Sequence, residues 1–213
     1  MTDSIRERQQ AERGVSGLSI EGNPKISMVV ACYENTKKIL VPLGSFQSQT
    51  HENWECIIVH DGPGGFLLEH KIRSLQDPRF QFYRLPENSG DWGNSCKEYG
   101  SQLATGDYIG HSNDDNFYAP VYFEWMLRAM KEQEAQFVYC NMIHSHRQYQ
   151  PMSCDTKACH IDGGGWIAEA EIVKTTPWPS PKSDNHADGY YVESLVARCS
   201  RTAMIPGYLF VHN

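Results

Sequence analysis

The chain has 213 residues, and its composition and charge already exclude several classes of protein. A hydrophobic content of 40% with 21% charged residues is ordinary for a folded globular domain and excludes a wholly disordered chain. The net charge of -7 argues against a nucleic-acid-binding surface, so we expect no nucleic-acid partner. The same charge means that a phosphorylated ligand has to be met by a bound metal or by a local cluster of Lys and Arg.

Apolar runs and cysteines indicate the compartment. No run approaches the roughly 18 residues of a membrane-spanning helix, and the N-terminus lacks the apolar core of a signal peptide. The seven cysteines are scattered without a C-x-x-C pair, mostly in apolar stretches, which indicates reduced thiols. We therefore expect a soluble, cytoplasmic protein without a transmembrane segment.

The first half of the chain alternates between two patterns. Residues 1–24 are polar and are predicted to form a peripheral N-terminal arm. From Ile26 onward, short apolar runs are typical of strands that are buried in a sheet, and apolar residues at helical spacing separate the first two of them. These predicted strands are residues 26–32, 54–59, 80–84 and 108–110. The alternation predicts an open α/β fold with a parallel sheet.

The second half of the chain has a less regular pattern. A helix is predicted around residues 121–132, and a strand follows at 137–140. Residues 144–159 lack clear periodicity, which predicts either a hairpin or a mobile loop. A final helix over residues 191–198 and a strand over 208–211 complete the pattern.

Polar side chains follow the ends of four predicted strands. In chain order these are Tyr33 with Glu34, Asp61, the loop 88–94, and Asp114 with Asp115. Ligands of open α/β sheets bind at the carboxyl ends of the strands, and carboxylate oxygens suit Mg or Mn. An acidic helix N-cap is the alternative for the acidic pair, but it explains one strand end and not four.

Six short motifs follow one another between residues 26 and 116. They are residues 26–33, 49–55, 59–62, 85–90, 104–109 and 113–116. Their order resembles that of family 2 glycosyltransferases, strongly across residues 26–125 and more loosely beyond. The resemblance implies a GT-A fold, which is an open, mostly parallel twisted sheet flanked by helices. It also implies one catalytic domain over residues 25–213, with a nucleotide-binding half at 25–117 and an acceptor-side half at 118–213.

Carried over by position, the resemblance assigns residues to the nucleotide. Ala31 and Tyr33 match positions that pack the nucleobase, and Asp61 matches a carboxylate that accepts a hydrogen bond from the uracil ring nitrogen. His60 stands where the family usually has a first acidic residue, which leaves the identity of the base open. Lys97 matches a basic position that approaches the diphosphate.

The same resemblance implies a divalent metal, Mn²⁺ or Mg²⁺. Asn113, Asp114 and Asp115 match the D-x-D region, with Asp115 as the metal ligand and Asp114 next to the ribose or the metal. Asn113 is an amide where an acid is common. His212 resembles a late histidine that supplies a further metal ligand, although a surface histidine at a strand end has the same pattern. Glu34 is assigned to the nucleotide-sugar site.

Three residues in the second half of the chain complete the predicted site. Asp188 resembles the catalytic base of inverting members, and an N-cap of the last helix is the alternative interpretation. Trp166, which follows a run of three glycines that includes Gly164, is predicted to stack on a sugar ring, and both residues are assigned to the nucleotide-sugar site. Core packing of Trp166 and a flexible glycine turn are the alternatives.

Together with these residues, the resemblance implies a metal-dependent, inverting glycosyltransferase that moves a sugar from a nucleotide-sugar donor, with UDP favoured, to a hydroxyl group of a glycan or another acceptor. A sugar-nucleotide nucleotidyltransferase is one alternative, but residues 31–34 lack its glycine-rich phosphate loop. A non-catalytic binding module for nucleotide sugars or glycans is the other. The end of the chain directly after His212 suggests a domain of a longer, multidomain protein, and the sequence does not distinguish the sugar or the linkage.

Overall fold

A computed structural model of the protein describes residues 22–34, 37–184 and 186–213. The predicted arm of residues 1–24 therefore lies almost entirely outside the described part of the chain. Within that part, no helix is both long enough and apolar enough to cross a membrane. The described residues form one nine-stranded sheet with helices packed against it.

The first half of the fold is a regular alternation of strands and helices. Its elements are β1 (Ile26–Cys32), α1 (Leu40–Gln47), β2 (Trp54–His60), α2 (Phe66–Ser74), β3 (Phe80–Arg84), α3 (Asn94–Leu103) and β4 (Tyr108–Asn113). Strand β1 pairs with β2 and β4, and β2 pairs with β3, all in parallel. Every residue of β1 and β2 is buried because helices cover both faces of the sheet. The predicted α/β alternation is confirmed.

The second half of the fold is mixed. Its elements are β5 (Phe117–Tyr118), α4 (Tyr122–Glu132), β6 (Phe137–His144), β7 (Gln150–Met152), β8 (Trp166–Glu169), α5 (Ala170–Thr175), α6 (Ala187–Val196) and β9 (Thr202–His212). Strand β8 runs antiparallel between β4 and β6, whereas β6 and β9 are parallel. The strand order is β3-β2-β1-β4-β8-β6-β9-β5, with β7 paired to β6. The parallel arrangement that the sequence predicts thus holds throughout the first half, whereas the second half combines the parallel pair β6–β9 with antiparallel pairs.

Several predicted boundaries change in the second half. Residues 144–159 contain the turn and the second strand of the β6–β7 hairpin, and a hairpin was one of the two alternatives. The last helix begins at Ala187 rather than at 191, so that Asp188 lies in its first turn. The strand predicted over 208–211 is the end of the much longer β9.

A buried carboxylate ties the parallel strands together at the edge opposite their carboxyl ends. Glu55 is 4% exposed, and its Oε1 accepts hydrogen bonds from the Ser27 hydroxyl and from the Thr105 amide at 2.6 and 2.7 Å. Its Oε2 lies 2.9 Å from Lys25 Nζ. Burial opposes ionisation of Glu55, but the hydrogen bonds from Ser27, Lys25 and Thr105 outweigh it and lower its pKa from 4.5 to about 2.

We expect a Glu55→Gln substitution to destabilise the fold by about 2–4 kcal/mol, because it removes the carboxylate that pairs with Lys25 and places an amide donor among donors. Since the folded-state pKa is depressed, the stabilisation by Glu55 is fully present above about pH 4.5. It is lost as the pH falls toward 2, with a total of about 3 kcal/mol. Urea unfolding between pH 3 and 7 measures both effects. The exposed neighbour Glu52 provides the control variant Glu52→Gln, and an equal pH dependence in both variants would contradict the assignment.

Candidate active site

Two clefts adjoin at the carboxyl ends of the parallel strands. The first cleft has a volume of about 670 Å³, and its walls include the ends of β1, β2 and β4. The predicted residues Ala31, Tyr33, Asp61, Asp114 and Asp115 all line it. The fold thus brings together side chains that are far apart in the sequence, as expected for strand ends at one edge of a parallel sheet.

The end of β1 forms a narrow, apolar part of the first cleft. Ala31 is 6% exposed, and a Cβ atom added at Gly93 would lie 2.6 Å from the Cβ atom of Ala31. Only glycine therefore allows the loop before α3 to approach β1 so closely. Tyr33 is half-exposed, and its ring packs on His60 with 5.7 Å between centroids. The predicted Glu34 is exposed and is not among the residues that line the first cleft.

Asp61 is held in a fixed orientation at the end of β2. Its side chain is buried, and Oδ1 accepts hydrogen bonds from the Ser89 amide and hydroxyl, both at 2.8 Å. Its own amide donates to the Cys32 carbonyl at 3.0 Å. Both bonds from Ser89 fall on one oxygen, so the second oxygen of this carboxylate can accept from the N–H of a ring bound in the first cleft.

The acidic pair after β4 provides oxygen atoms for a cation. Asp114 Oδ2 accepts from the Tyr33 amide at 3.5 Å, and Asp115 Oδ2 lies 3.1 Å from Lys38 Nζ. The Asn213 side chain donates to the Asp115 carbonyl at 2.6 Å. Mg²⁺ and Mn²⁺ are commonly bound by only one or two protein carboxylates together with substrate phosphates and water, and this pair fits that donor set.

The second cleft has a volume of about 480 Å³ and shares two residues, Trp92 and Asn113, with the first. Its lining includes Lys97, Asp162 and Asp188. The predicted base and the predicted diphosphate-binding lysine therefore line the second cleft, whereas the acidic pair lines the first cleft. A substrate that extends past Asn113 would be in reach of both groups of residues.

Asp188 lies in the first turn of α6 beside a glycine. Its Oδ1 accepts from the Gly189 amide at 2.8 Å, and a Cβ atom at Gly163 would lie 3.1 Å from its Oδ2. The hydrogen bond from the Gly189 amide therefore uses only Oδ1 of Asp188. Because residue 163 is a glycine without a side chain, there is space beside Oδ2. The N-cap of α6 is His186, so the N-cap interpretation of Asp188 is wrong, and its role as a base stays a prediction.

Lys97 is 3% exposed, although it carries a charge. Helix α3 holds it close to the sheet, because a Cβ atom at Gly100 would lie only 2.4 Å from Val29 Cγ1. Lys97 lines the second cleft and not the first. Its predicted contact with a diphosphate therefore stays a prediction.

His212 and Asp115 line different clefts, and their predicted role as joint metal ligands stays a prediction. His212 lies in the second cleft, where its ring stacks on His144 with 4.3 Å between centroids and its Nε2 is 3.4 Å from Asp162 Oδ2. Burial raises the pKa of the Asp162 carboxyl, and the nearby His212 opposes this rise. In the described part of the chain, no group of three or more His, Cys, Asp and Glu residues could hold a metal ion.

Close packing surrounds two other predicted site residues. Trp166 is fully buried at the start of β8, where it stacks on Phe137 at 5.4 Å, so no face of its ring is open to a sugar. Gly164 is also buried, and a Cβ atom there would lie 2.9 Å from Asn116 Nδ2 and from the Phe210 ring. The core-packing alternative therefore describes Trp166, and Gly164 is required by close packing rather than by flexibility.

Comparisons with known proteins identify the family of this chain. The family model described as Glycosyl transferase family 2 matches residues 27–154. The Putative glycosyltransferase EpsH of Bacillus subtilis is 32% identical over 119 residues, which are 55% of this chain and 33% of that protein. The matched regions span between 22% and 36% of the length of the curated relatives.

Two solved structures show a similar fold. S. aureus TarS 1–349 in complex with UDP has a TM-score of 0.74 at 15% identity, covering 88% of this chain and 60% of that one. The mannosyltransferase PcManGT from Pyrobaculum calidifontis, solved with GDP-Man and Mn²⁺, has a TM-score of 0.71 at 12% identity, covering 98% and 64%. At such identities the likeness concerns the fold alone, and it confirms the predicted GT-A fold.

Proposed function

This chain belongs to glycosyl transferase family 2, and we propose that it transfers a sugar from a nucleoside-diphosphate sugar, preferably UDP-linked, to a hydroxyl group of an acceptor with inversion at the anomeric carbon. The observation that best supports this proposal is the adjacency of two clefts across Asn113. One contains carboxylates suited to a nucleotide and a cation, and the other contains Asp188.

The nucleotide is proposed to occupy the first cleft. The half-exposed ring of Tyr33 offers a flat face to the base, and Asp61, fixed by Ser89, accepts from the ring N–H. The complex of TarS with UDP supports the choice of uracil, whereas the complex of PcManGT with GDP-Man makes GDP the alternative. The identity of the base is therefore part of the test below.

Asp115, with Asp114 beside it, is proposed to hold a Mg²⁺ or Mn²⁺ ion. When bound, such an ion supplies positive charge to the leaving diphosphate. The contact of Lys38 Nζ with Asp115 Oδ2 at 3.1 Å supports the assignment, because the carboxylate already attracts a cation at this place. The presence of Mn²⁺ in the PcManGT structure also supports it.

Asp188 is proposed to act as the general base in the second cleft. As the acceptor oxygen forms a bond to the anomeric carbon, the bond from that carbon to the diphosphate oxygen breaks, and the hydroxyl proton moves to Asp188. The nucleoside diphosphate leaves with the electron pair of the broken bond. Because the acceptor lies on the side opposite the leaving group, the configuration at the anomeric carbon inverts.

A nucleotide-release assay distinguishes this function from its alternatives. The protein is incubated with Mn²⁺, a mixture of oligosaccharides, and in turn UDP-glucose, UDP-galactose, UDP-N-acetylglucosamine and GDP-mannose, and free nucleoside diphosphate is quantified. We expect release that stops in EDTA and is fastest with a UDP-sugar. The same samples are assayed with UTP and sugar 1-phosphates, where a nucleotidyltransferase would form pyrophosphate. Formation of pyrophosphate would contradict the proposal. Binding of UDP without release of nucleoside diphosphate from any of the four nucleotide sugars would contradict it as well.

A further inference from the structure

Trp92 exposes an unusually large apolar surface at the active site. Its side chain is 74% exposed, compared with 37% for Trp125 and at most 8% for the other three tryptophans of the chain. A tryptophan that remains mostly in water loses the stabilisation that burial of its large ring would give. The exposure of Trp92 is therefore not explained by folding.

The backbone of Trp92 is also strained. Its φ angle is +59°, in the left-handed region that bulky side chains rarely adopt. The neighbouring residues hold it there. Asp91 is 5% exposed and accepts from the Ser95 amide and hydroxyl at 3.0 and 2.6 Å, and Gly93 packs against Ala31. The indole is thus carried on a rigid turn and kept in the exposed position at a cost in stability.

The position of this indole links the two clefts. Trp92 lines both of them, between Asp61 on the one side and Lys97 and Asp188 on the other. The first cleft already has Tyr33 as an aromatic surface for the base. The second cleft has polar groups, including the proposed base, but needs a surface that holds a substrate ring while one of its hydroxyls faces Asp188.

We propose that the acceptor is a carbohydrate and that Trp92 is the platform on which its sugar ring stacks. One face of a pyranose presents mainly C–H groups, which pack well on the flat indole, while the hydroxyls at the ring edge stay free for polar contacts. The inference rests on the proposed function, because it uses Asp188 as the group that receives the proton. It adds the chemical class of the acceptor and a residue that selects it.

Saturation-transfer NMR tests the platform directly. Methyl α- and β-glucopyranoside, methyl β-galactopyranoside and methyl N-acetyl-β-glucosaminide are each added at millimolar concentration to the protein with UDP and Mn²⁺. We expect saturation of the C–H protons on one ring face of at least one glycoside. In Trp92→Gly this signal should fall about tenfold, and Trp92→Phe should retain most of it. Trp125→Ala removes an indole from α4 and should leave the signal unchanged.

Stability separates this role from a structural one. Because glycine adopts a positive φ without strain, Trp92→Gly should raise the Tm by about 2–4 °C while it weakens glycoside binding. A lower Tm together with the weaker signal would mean that the indole supports the fold, and would overturn the proposal. The absence of any glycoside signal in the wild-type protein would overturn it as well.

Donor binding in the same samples keeps the two proposals apart. If UDP binds and the glycoside signal does not depend on Trp92, the platform is wrong and the proposed function stands. If Trp92→Gly weakens UDP-sugar binding more than UDP binding and leaves the glycoside signal intact, the ring stacks on the donor sugar, and the assignment to the acceptor is overturned. If UDP itself does not bind, the proposed function fails.

Discussion

An Asp188→Asn variant is expected to lose sugar transfer by about 10²–10⁴-fold, the usual contribution of a general base, while it binds the donor as tightly as the wild-type protein does. The asparagine has nearly the same shape, and its amide oxygen can still accept from the Gly189 amide at the start of α6. The substitution therefore removes the basic carboxylate but keeps the hydrogen bond from the Gly189 amide. Initial rates of UDP release with acceptor, together with UDP affinity from calorimetry, measure the two effects separately.

A matched control is available in the same half of the fold. Asp155 is an exposed carboxylate paired with His160 and lies outside the lining of both clefts. Asp155→Asn makes the same chemical change and should leave transfer unchanged. Full transfer by Asp188→Asn would assign the base elsewhere. A large loss of Tm in Asp188→Asn would instead mean that its negative charge in the first turn of α6 is important for the stability of the fold.

An Asp115→Ala variant is expected to bind Mn²⁺ in the presence of UDP about 10–100-fold more weakly, because it removes a carboxylate ligand that the diphosphate and water cannot replace. Free Mn²⁺ is measured by electron paramagnetic resonance in a titration at fixed UDP. The fold should tolerate the change. The partner in the present structure, Lys38, has a side chain that is 58% exposed, and such surface ion pairs contribute little to stability.

The loss of one negative charge in Asp115→Ala needs a control. The chain is acidic, and removal of any carboxylate weakens the attraction of the protein for cations. Glu52→Ala removes one exposed carboxylate just before β2, at the end of the strand away from the clefts, and should leave Mn²⁺ binding unchanged. Equal weakening in both variants would indicate a general field effect. Unchanged Mn²⁺ binding in Asp115→Ala would remove this residue from the proposed metal site.

The first half of the fold was predictable because short, continuous stretches of its sequence indicate its strands. Strand β1 is an unbroken apolar run, and Asp61 and Asp115 follow strand ends whose parallel pairing brings them to one edge. The strand bounds of β1, β2 and β3 agree with the sequence pattern within one residue. Family motifs in the same region then supplied roles that spacing alone does not give.

The second half depends on contacts that are distant in the sequence. Trp166 follows three glycines, a pattern that suggests an exposed turn, but β8 inserts between β4 and β6 and buries the ring. His212 ends β9, and the parallel pairing of β9 with β6 brings its ring onto that of His144. No local signal in the sequence reports such pairings.

The residue with the least signal in the sequence is Trp92. Its loop is rich in polar residues and glycine, which gives no indication of the direction in which the indole points. That direction follows from the left-handed backbone and from the burial of Asp91 on one side and the packing of Gly93 on the other. Lys38 and Asp162 were likewise found only once the chain was folded, through their contacts with Asp115 and His212.

Calorimetric titration of UDP into the wild-type protein, with Mn²⁺ and then with EDTA, tests the central claim most directly. The proposed site predicts one molecule of UDP bound per chain in Mn²⁺ and an affinity at least about tenfold weaker in EDTA. GDP and dTDP, titrated in the same way, identify the base. Failure of all three nucleotides to bind, or binding of equal strength in Mn²⁺ and in EDTA, would contradict a metal-dependent nucleotide-sugar site in the first cleft.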